Sequence, residues 1–235
     1  MDRPENLLLR ALPASEFERL SEHLKPVRLD LGDVLHPPGD PVETVHFIDV
    51  GLLSIVYSSP DGKSVEAGMV GREGASGLLE ACSNGPSFMT VLVQVEGRGH
   101  RVPARVCREL AADSQAFRDA IWRYTELMLA ESRQSVVCQA SHEAESRCAR
   151  WLMESRDRSG IEGRLPLTQE YLAAMLGVQR TTVVSIAGAL QRRGLINYSR
   201  GKIDIVDAEG LDAAACDCRR ALRDHRAARR PHADA

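Results

Sequence analysis

Near the C-terminal end of the 235-residue sequence, one stretch carries side chains suited to contacting a polyanion. Guanidinium, hydroxyl, amide and methyl groups occur there, and these groups contact base edges and phosphates in a DNA major groove. No Asp or Glu lies between Glu170 and Asp204. Because a carboxylate would repel phosphate, this exclusion favours a nucleic-acid interface. The predicted contact residues are Thr168, Gln179, Arg180, Thr181, Thr182, Val184, Ser185, Arg192, Arg200 and Lys202.

The elements that must position these side chains are two short helices joined by a tight turn. Thr168 is a suitable N-terminal cap for the first helix, because its hydroxyl can accept a hydrogen bond from a first-turn amide. Gly177 can supply the positive φ of the turn, and Gly194 stands where the second helix should end. The second helix, from about Gln179 to Arg193, has apolar residues three and four apart on its buried side. They are Val183, Ile186, Ala187 and Leu190.

A β-hairpin follows the second helix. Its predicted strands are Leu195 to Tyr198 and Lys202 to Val206, with Ser199-Arg200-Gly201 as the turn. Arg200 at the tip could reach the sugar-phosphate backbone. Two helices and a hairpin in this order predict a winged helix. Arg180 is the predicted main guanine contact. Hydrogen bonds from Gln179, Thr181 and Ser185 would add to it, and Val184 could contact a thymine methyl.

These motifs carry a family resemblance. LPLTQEYLAAMLGVQRTTV, with GLINYSRGKIDIVD after it, closely resembles the DNA-binding domain of the Crp/Fnr bacterial transcription regulators. The resemblance implies an α+β protein with an N-terminal β jelly roll like a cyclic-nucleotide-binding domain, a long dimerisation helix and a C-terminal winged helix-turn-helix. The implied domains are residues 1–112, the effector domain; 113–142, the dimerisation helix and hinge; 143–212, the DNA-binding domain; and 213–235, a tail that is helical in composition and is expected to fray from Ala221.

The first half agrees with that expectation. Residues 5–25 predict a helical entry, and from Pro26 short β-runs separated by Gly, Pro and Asp predict an antiparallel sandwich or jelly roll. GDVLHPPGDPVETVHFIDVGLLSIVY is similar to the opening strands of cyclic-nucleotide-binding domains. A helix from about Ser114 to Ala140 is long enough to need a partner for a second apolar side. The predicted dimer contacts are Phe117, Ile121, Tyr124 and Met128, and the alternative is a helix packed within one subunit.

The predicted effector pocket departs from the family pattern. Family members hold a cyclic nucleotide with a helix N-terminus, an Arg and a hydroxyl, and with a Glu on the ribose. Here Ala75 stands at the Glu position, and no Lys or Arg lies between Arg72 and Arg98. We therefore do not expect cyclic AMP or cyclic GMP in the usual mode, although another small anion or polar ligand could bind. The expected pocket residues are Gly74, Ala75, Ser76, Gly77, Leu78, Thr90 and Val91.

Other sensory chemistry is less well supported by the residues. An iron–sulfur cluster needs several nearby cysteines, commonly near the N-terminus, and the first here is Cys82. Haem through a scattered histidine, zinc at the Cys216–Cys218 pair and thiol redox sensing remain open, but no resident cofactor or metal is predicted. The histidines considered for haem are His36, His46 and His100; those considered with the zinc pair are His225 and His232; the further thiols are Cys107, Cys138 and Cys148.

Composition limits where the DNA-binding surface can lie and which cell compartment is expected. The net charge of −3 hides an asymmetry, because residues from 142 onward contain 16 basic and 13 acidic side chains, whereas the preceding residues contain 14 and 20. The acidic half is therefore a poor DNA surface. No apolar run approaches the roughly 18 residues of a membrane span, the N-terminus lacks the pattern of a secretory signal, and six scattered cysteines favour a reducing cytoplasm.

The expected function is a homodimeric regulator that binds a pseudo-palindromic operator in double-stranded DNA. The resemblance implies RNA polymerase as a further partner, but no motif distinguishes activator from repressor. Thr181 and Ser185 stand where the family commonly has an acidic or Ser residue and an Arg, so we expect an unusual operator. A rival hypothesis is a ligand- or redox-sensing protein that acts through protein contacts. An enzyme is not expected, because no nucleophile elbow, HExxH or phosphate loop with Lys occurs.

Overall fold

A computed structural model describes residues 3–60, 64–161 and 163–228. The chain begins with two short helices, α1 (Leu7–Arg10) and α2 (Ala14–Ser21), rather than the single helical entry that the apolar spacing predicts. Pro13, which has no backbone N–H, stands immediately before α2 and separates the two. Both helices bury leucines against the domain that follows.

The N-terminal domain is an antiparallel β-structure. Its strands are β1 (Lys25–Leu29), β2 (Val34–His36), β3 (Thr44–Ser58), β4 (Ser64–Val70), β5 (Ala75–Ser76) and β6 (Thr90–Pro103), and helix α3 (Leu78–Ser83) follows β5. The sheet order is β1-β6-β3-β4, while β2 pairs with β6 and β5 with β3. The predicted jelly-roll class is therefore confirmed, with strands β3 and β6 much longer than the short runs read from the sequence.

Glycines explain why β3 and β6 continue through apparent breaks. Gly51 lies within β3 at φ +109°, and Gly97 lies opposite in β6. A Cβ on Gly97 would stand 2.0 Å from the carbonyl oxygen of Val50, and one on Gly51 would stand 2.8 Å from that of Val95. Because only residues without a side chain permit this approach, the glycines mark a bend inside a strand pair rather than a strand end.

Two helices connect the β-domain to the rest of the chain. They are α4 (Ala104–Asp113) and the long α5 (Gln115–Ser141), which Ser114 caps by accepting the N–H of Phe117 at 3.1 Å. The four predicted dimer contacts lie on the side of α5 that packs against the β-domain. Phe117 and Tyr124 are buried in the core of their own β-domain, and Ile121 and Met128 pack half-buried against the same core.

The C-terminal domain contains the predicted winged helix. Its elements are α6 (Ala144–Ser159), β7 (Leu165–Pro166), α7 (Gln169–Leu176), α8 (Arg180–Arg192), β8 (Ile196–Ser199), β9 (Lys202–Ile205) and α9 (Ala208–Ala214). A last helix, α10 (Cys218–Ala228), packs back on α5 and α6, so the residues expected to fray are ordered to Ala228; residues 229–235 lie outside the described part. Strands β7, β9 and β8 form one antiparallel sheet.

The two domains share a hydrophobic core. Leu52, Met69 and Val95 of the β-domain belong to the same buried cluster as Trp151 and Met175 of the winged helix. Among the described helices, none alone is long and apolar enough to span a membrane, and only α7 with α8, bent by 102°, reach that length and composition as a pair. Burial of this shared core holds the winged helix against the sheet and leaves α8 facing outward.

Candidate nucleic-acid interface and effector cavity

The helix-turn-helix is built from local interactions that the sequence encodes. Thr168 accepts the N–H of Tyr171 at 3.1 Å, and Gly177 at φ +63° ends α7 while its N–H returns to the last turn. Helix α8 starts three residues later at 102° to α7, in the range typical of a helix-turn-helix. Its buried side consists of the four predicted apolar residues, Val183, Ile186, Ala187 and Leu190.

Every predicted contact residue is exposed, on α8, on the hairpin or, for Thr168, at the N-terminal cap of α7. Val184 is 50% exposed, a large value for a valine outside an interface. Such an apolar side chain among polar ones suits contact with a thymine methyl. The role of the predicted contact residues in DNA binding stays a prediction. All of them are accessible to solvent, as a contact with DNA requires. The exposed residues are Thr168, Gln179, Arg180, Thr181, Thr182, Val184, Ser185, Arg192, Arg200 and Lys202.

Arg180 has partners that the acid-free stretch does not reveal. Its Nη1 lies 2.6 Å from Oε1 of Glu170, and its Nε donates to Oε1 of Gln169 at 3.0 Å. Both partners belong to the first turn of α7, which the turn brings beside the start of α8. The sequence signal was the presence of Glu170 at the edge of the carboxylate-free stretch, but only the folded turn shows that it reaches Arg180.

The hairpin has a two-residue turn, Arg200-Gly201, rather than three residues. Arg200 and Gly201 have φ of +50° and +72°, and Ser199 pairs directly with Lys202. Positive φ at both central positions matches the twist of a tight hairpin. Arg200 is therefore held at the tip with its side chain exposed, beside a second cation at Lys202. On the other edge, Nε of Arg164 donates to Asp204 at 2.8 Å, so that carboxylate is neutralised.

A cavity of about 410 Å³ lies between the β-domain, α5, α6 and α10. Ala75, Ser76, Gly77, Leu78 and Val91 line it as expected for an effector pocket. The other two expected residues face elsewhere. A Cβ on Gly74 would stand 2.5 Å from the ring of Tyr124, whose hydroxyl donates to the carbonyl of Ala75 at 2.9 Å, and Thr90 pairs with Val56 in the sheet.

The cavity receives cations from the winged-helix side. Arg150, Arg158 and Arg226 line it, although no Lys or Arg occurs in the β-domain segment from residue 73 to residue 97. Arg158 and Arg226 are paired with acids, whereas Nε of Arg150 is buried without a hydrogen-bond partner among the described residues. Sequence reasoning missed these arginines because they lie more than 50 residues from the segment they face.

An ion-pair cluster forms one wall of the cavity. Arg158 of α6 lies 3.0 Å from Glu131 of α5, donates through Nε to Glu73 at 2.9 Å and donates to the carbonyl of Met69 at 2.5 Å. Burial alone would raise the pKa of Glu73, but the adjacent Arg158 outweighs it and holds the pKa below its ordinary value. Arg226 of α10 lies 2.8 Å from the same Glu131. The cluster therefore joins β-domain, long helix and winged helix.

Glu66 is the other acid at this domain boundary. Its carboxyl end accepts the indole N–H of Trp151 at 2.9 Å and the hydroxyl of Ser54, and it lies under the α6 helix. Burial raises its pKa from 4.5 to about 7, despite those two hydrogen bonds and the nearby Arg158. The residue as a whole is half-buried, and it lines the interdomain cavity.

The histidines considered for haem do not converge on one site. His36 and His46 are buried with ring centroids 5.5 Å apart, and burial lowers the pKa of His46 to about 4. Nδ1 of His100 lies 2.9 Å from Asp49 instead. Burial raises the pKa of the Cys107 thiol and raises that of Cys148 to about 12, so neither is a ready thiolate.

Of the two histidines considered with the Cys216–Cys218 pair, the described one, His225, has another partner. Nε2 of His225 lies 3.5 Å from Glu126, and His232 lies outside the described residues. The residues that do approach the pair are Cys138 and His142, whose ligand atoms lie within 4.8 Å of those of the two cysteines.

Comparisons with known proteins agree with this architecture. Residues 146–214 match the family model of the Crp-like helix-turn-helix domain. The chain is 23% identical over 210 residues to a CRP-like cAMP-activated global transcriptional regulator of Mycobacterium tuberculosis, covering 87% of this chain and 94% of that protein.

Two solved structures share the fold. FixK2 of Bradyrhizobium japonicum has a TM-score of 0.69 and 16% identity over 82% of this chain and 98% of that one. The c-di-GMP responsive global regulator CLP of Xanthomonas campestris has a TM-score of 0.66 and 17% identity over 82% and 99%. Residues 146–214 are therefore a Crp-like helix-turn-helix domain, and the chain shares its overall fold with solved regulators of the Crp/Fnr type.

Proposed function

We propose that the chain is a homodimeric regulator whose α8 helices enter successive major grooves of a pseudo-palindromic operator. The observation that carries this proposal is the outward side of α8, which presents Arg180, Thr181, Val184 and Ser185 to solvent. Shared-core packing of α7 against β4 uses the opposite side of the domain, so docking on the β-domain leaves the contact residues free. Arg192, Arg200 and Lys202 supply phosphate contacts at the flanks.

A second copy would pair along the outer side of α5. Trp122, Leu129 and Val136 stand seven residues apart on this side, are 69%, 46% and 69% exposed, and have Val137 beside them at 52%. A heptad spacing of large exposed apolar residues is typical of a helix that pairs with another helix. In this proposal the stripe takes the place of Phe117 and Tyr124, which are buried in the core of the β-domain. Two-fold pairing would place the recognition helices about 34 Å apart.

The cavity would hold an effector other than cyclic AMP bound in the usual mode. Its volume of about 410 Å³ lies within the range of small-molecule sites, roughly 300–1,000 Å³. Arg150 offers an unpartnered donor, and the hydroxyl of Ser76 is buried without a hydrogen-bond partner among the described residues. These groups favour a small ligand with an anionic or strongly accepting group. Because the cavity lies between the domains, its occupant would bias their relative position.

Genomic DNA fragments bound by the purified protein test the proposal. We expect enrichment of sites with two inverted half-sites about one helical turn apart, and affinity that falls steeply with salt. RNA polymerase would then be a candidate partner at promoters containing such sites. Salt-insensitive binding, or no enrichment even in dilute buffer, would instead favour a sensor acting through protein contacts. Repeating the selection with cell-extract metabolites, and with Arg150→Met, tests whether an effector in the cavity changes operator affinity.

A further inference from the structure

Three thiols and an imidazole meet where the long helix ends. Cys138 is in the last turn of α5, His142 is the residue that follows this helix, and Cys216 and Cys218 stand at the start of α10. The ligand atoms of all four lie within 4.8 Å of one another. The sequence hides the cluster because its two halves are separated by more than 70 residues.

The distances suit tetrahedral coordination. Sγ of Cys138 lies 3.4 Å from Sγ of Cys216, and Sγ of Cys218 lies 3.5 Å from Nδ1 of His142. Ligand atoms at about 2.0–2.3 Å from a zinc ion in a tetrahedron are separated by about 3.3–3.8 Å. Both of these separations fall in that range, and because all four ligand atoms lie within 4.8 Å of one another, no other pair has to approach by more than about 1 Å.

The cluster is more than a set of small core residues. The three cysteines are buried at 0%, 7% and 3% exposure and form a cluster of their own, separate from the leucine-rich cores. His142 directs a ring nitrogen at a thiol, and Gln134 donates its side-chain N–H to Sγ of Cys218 at 3.0 Å. A donor of this kind orients and stabilises a thiolate ligand at a metal site.

We propose that Cys138, His142, Cys216 and Cys218 bind one zinc ion in a closed Cys₃His site. Four protein ligands leave no open position, so the site is structural rather than catalytic. The ion fastens the first residues of α10 to the end of α5, where the long helix passes into α6. Leu222 and Arg226 of α10 line the interdomain cavity, so zinc also fixes one wall of that cavity.

Metal analysis of protein purified under reducing conditions tests the site. We expect one zinc per chain in the wild type and in Cys82→Ser, a half-buried thiol outside the cluster, and loss of this zinc in Cys216→Ser and His142→Ala. Cobalt added to the metal-free protein should give the intense thiolate charge-transfer absorption of a tetrahedral sulfur site. Both readouts are independent of DNA binding, so their failure is distinguishable from failure of the proposed regulator function.

Thiol protection keeps the test decisive if a cysteine variant folds poorly. In the intact wild type, zinc should protect Cys138, Cys216 and Cys218 from alkylation and leave Cys82 reactive, and a chelator should abolish the protection. The proposal is overturned if the folded, reduced wild type takes up no zinc, or if Cys82→Ser loses as much zinc as Cys216→Ser.

Discussion

Arg180 at the start of α8 lies against Glu170 in the first turn of α7, with 2.6 Å between Nη1 and Oε1. The two side chains are 63% and 62% exposed. An ion pair this accessible contributes about 1 kcal/mol or less, so a guanine or a phosphate can replace the carboxylate at little cost. Glu170 thus holds Arg180 at the domain surface through a weak ion pair, and in the proposed complex it would compete with DNA for the same guanidinium.

Removing that competitor should strengthen DNA binding. We expect Glu170→Gln to tighten operator binding by a few-fold, under about 1 kcal/mol, because the exposed pair is weak and one carboxylate leaves the interface. Fluorescence anisotropy at fixed salt measures the change. Glu209→Gln, on exposed α9, carries the same charge change away from α8. Equal tightening by both variants would attribute the effect to net charge rather than to Arg180.

Arg180 should contact a base, whereas Arg200 should contact the phosphate backbone. Arg180→Ala should cost roughly 1–3 kcal/mol at one base position and relax preference there, as expected for a bidentate guanine contact. Arg200→Ala should weaken binding to all sequences alike and lower the salt slope by about 1. Affinities for operators mutated at each position separate these patterns. A uniform loss with Arg180→Ala would make it a phosphate contact.

The exposed stripe of α5 should set the oligomeric state. A carboxylate at Leu129 would have to be desolvated between paired helices, so Leu129→Glu should shift a dimer to monomer in sedimentation at micromolar concentration. Leu31→Glu, at another exposed leucine, is the matched control and should leave the dimer intact. A dimer that survives Leu129→Glu unchanged would locate the two-fold interface elsewhere.

Arg158 should be essential to the joint between domains. Arg158→Met would leave the half-buried Glu73 without its cation and Glu131 with Arg226 alone, at a cost of about 3–5 kcal/mol in the free energy of unfolding. Urea denaturation measures the loss. Adding Glu73→Gln should recover part of the loss, because the unpaired carboxylate disappears, whereas Glu131 still has Arg226. Arg156→Met, at a more exposed neighbour paired with Asp157, should cost under about 1 kcal/mol.

Glu66 should make stability depend on pH. Its pKa is raised from 4.5 to about 7 in the folded protein, so between these values the folded chain holds a proton that the unfolded chain has released. The stabilisation that this proton gives the folded state is therefore complete below pH 4.5, decreases as the pH rises and is lost above about pH 7. The free energy of unfolding should fall by roughly 1–3 kcal/mol over this range.

Glu66→Gln should remove that decrease, because the amide stays neutral and can still accept from Trp151. Unfolding free energies measured from pH 5 to pH 8 should then show a flatter profile and a more stable variant at pH 8. Glu96→Gln, at an exposed position of β6, controls for the loss of one acidic residue. Parallel profiles for wild type and Glu66→Gln would show that another group titrates at the domain boundary.

The sequence by itself determined the winged helix. Thr168 as a cap, Gly177 as a turn and the apolar spacing from Val183 to Leu190 act over a few residues, and the structure has each of them as predicted. The jelly-roll class was predicted equally well, because alternating strands and turn residues are local signals. Strand lengths were not, because Gly51 and Gly97 continue their strands through a bend that only their pairing reveals.

The tertiary structure decided which surfaces and clusters these elements form. Phe117 and Tyr124 turn into their own β-domain, and Glu131, an interruption in the apolar pattern of α5, is the partner of Arg158. Packing of α6 and α10 brings arginines to the cavity and Cys216 to Cys138. Such contacts join residues dozens of positions apart, so they depend on how whole elements dock and leave no periodic trace in the chain.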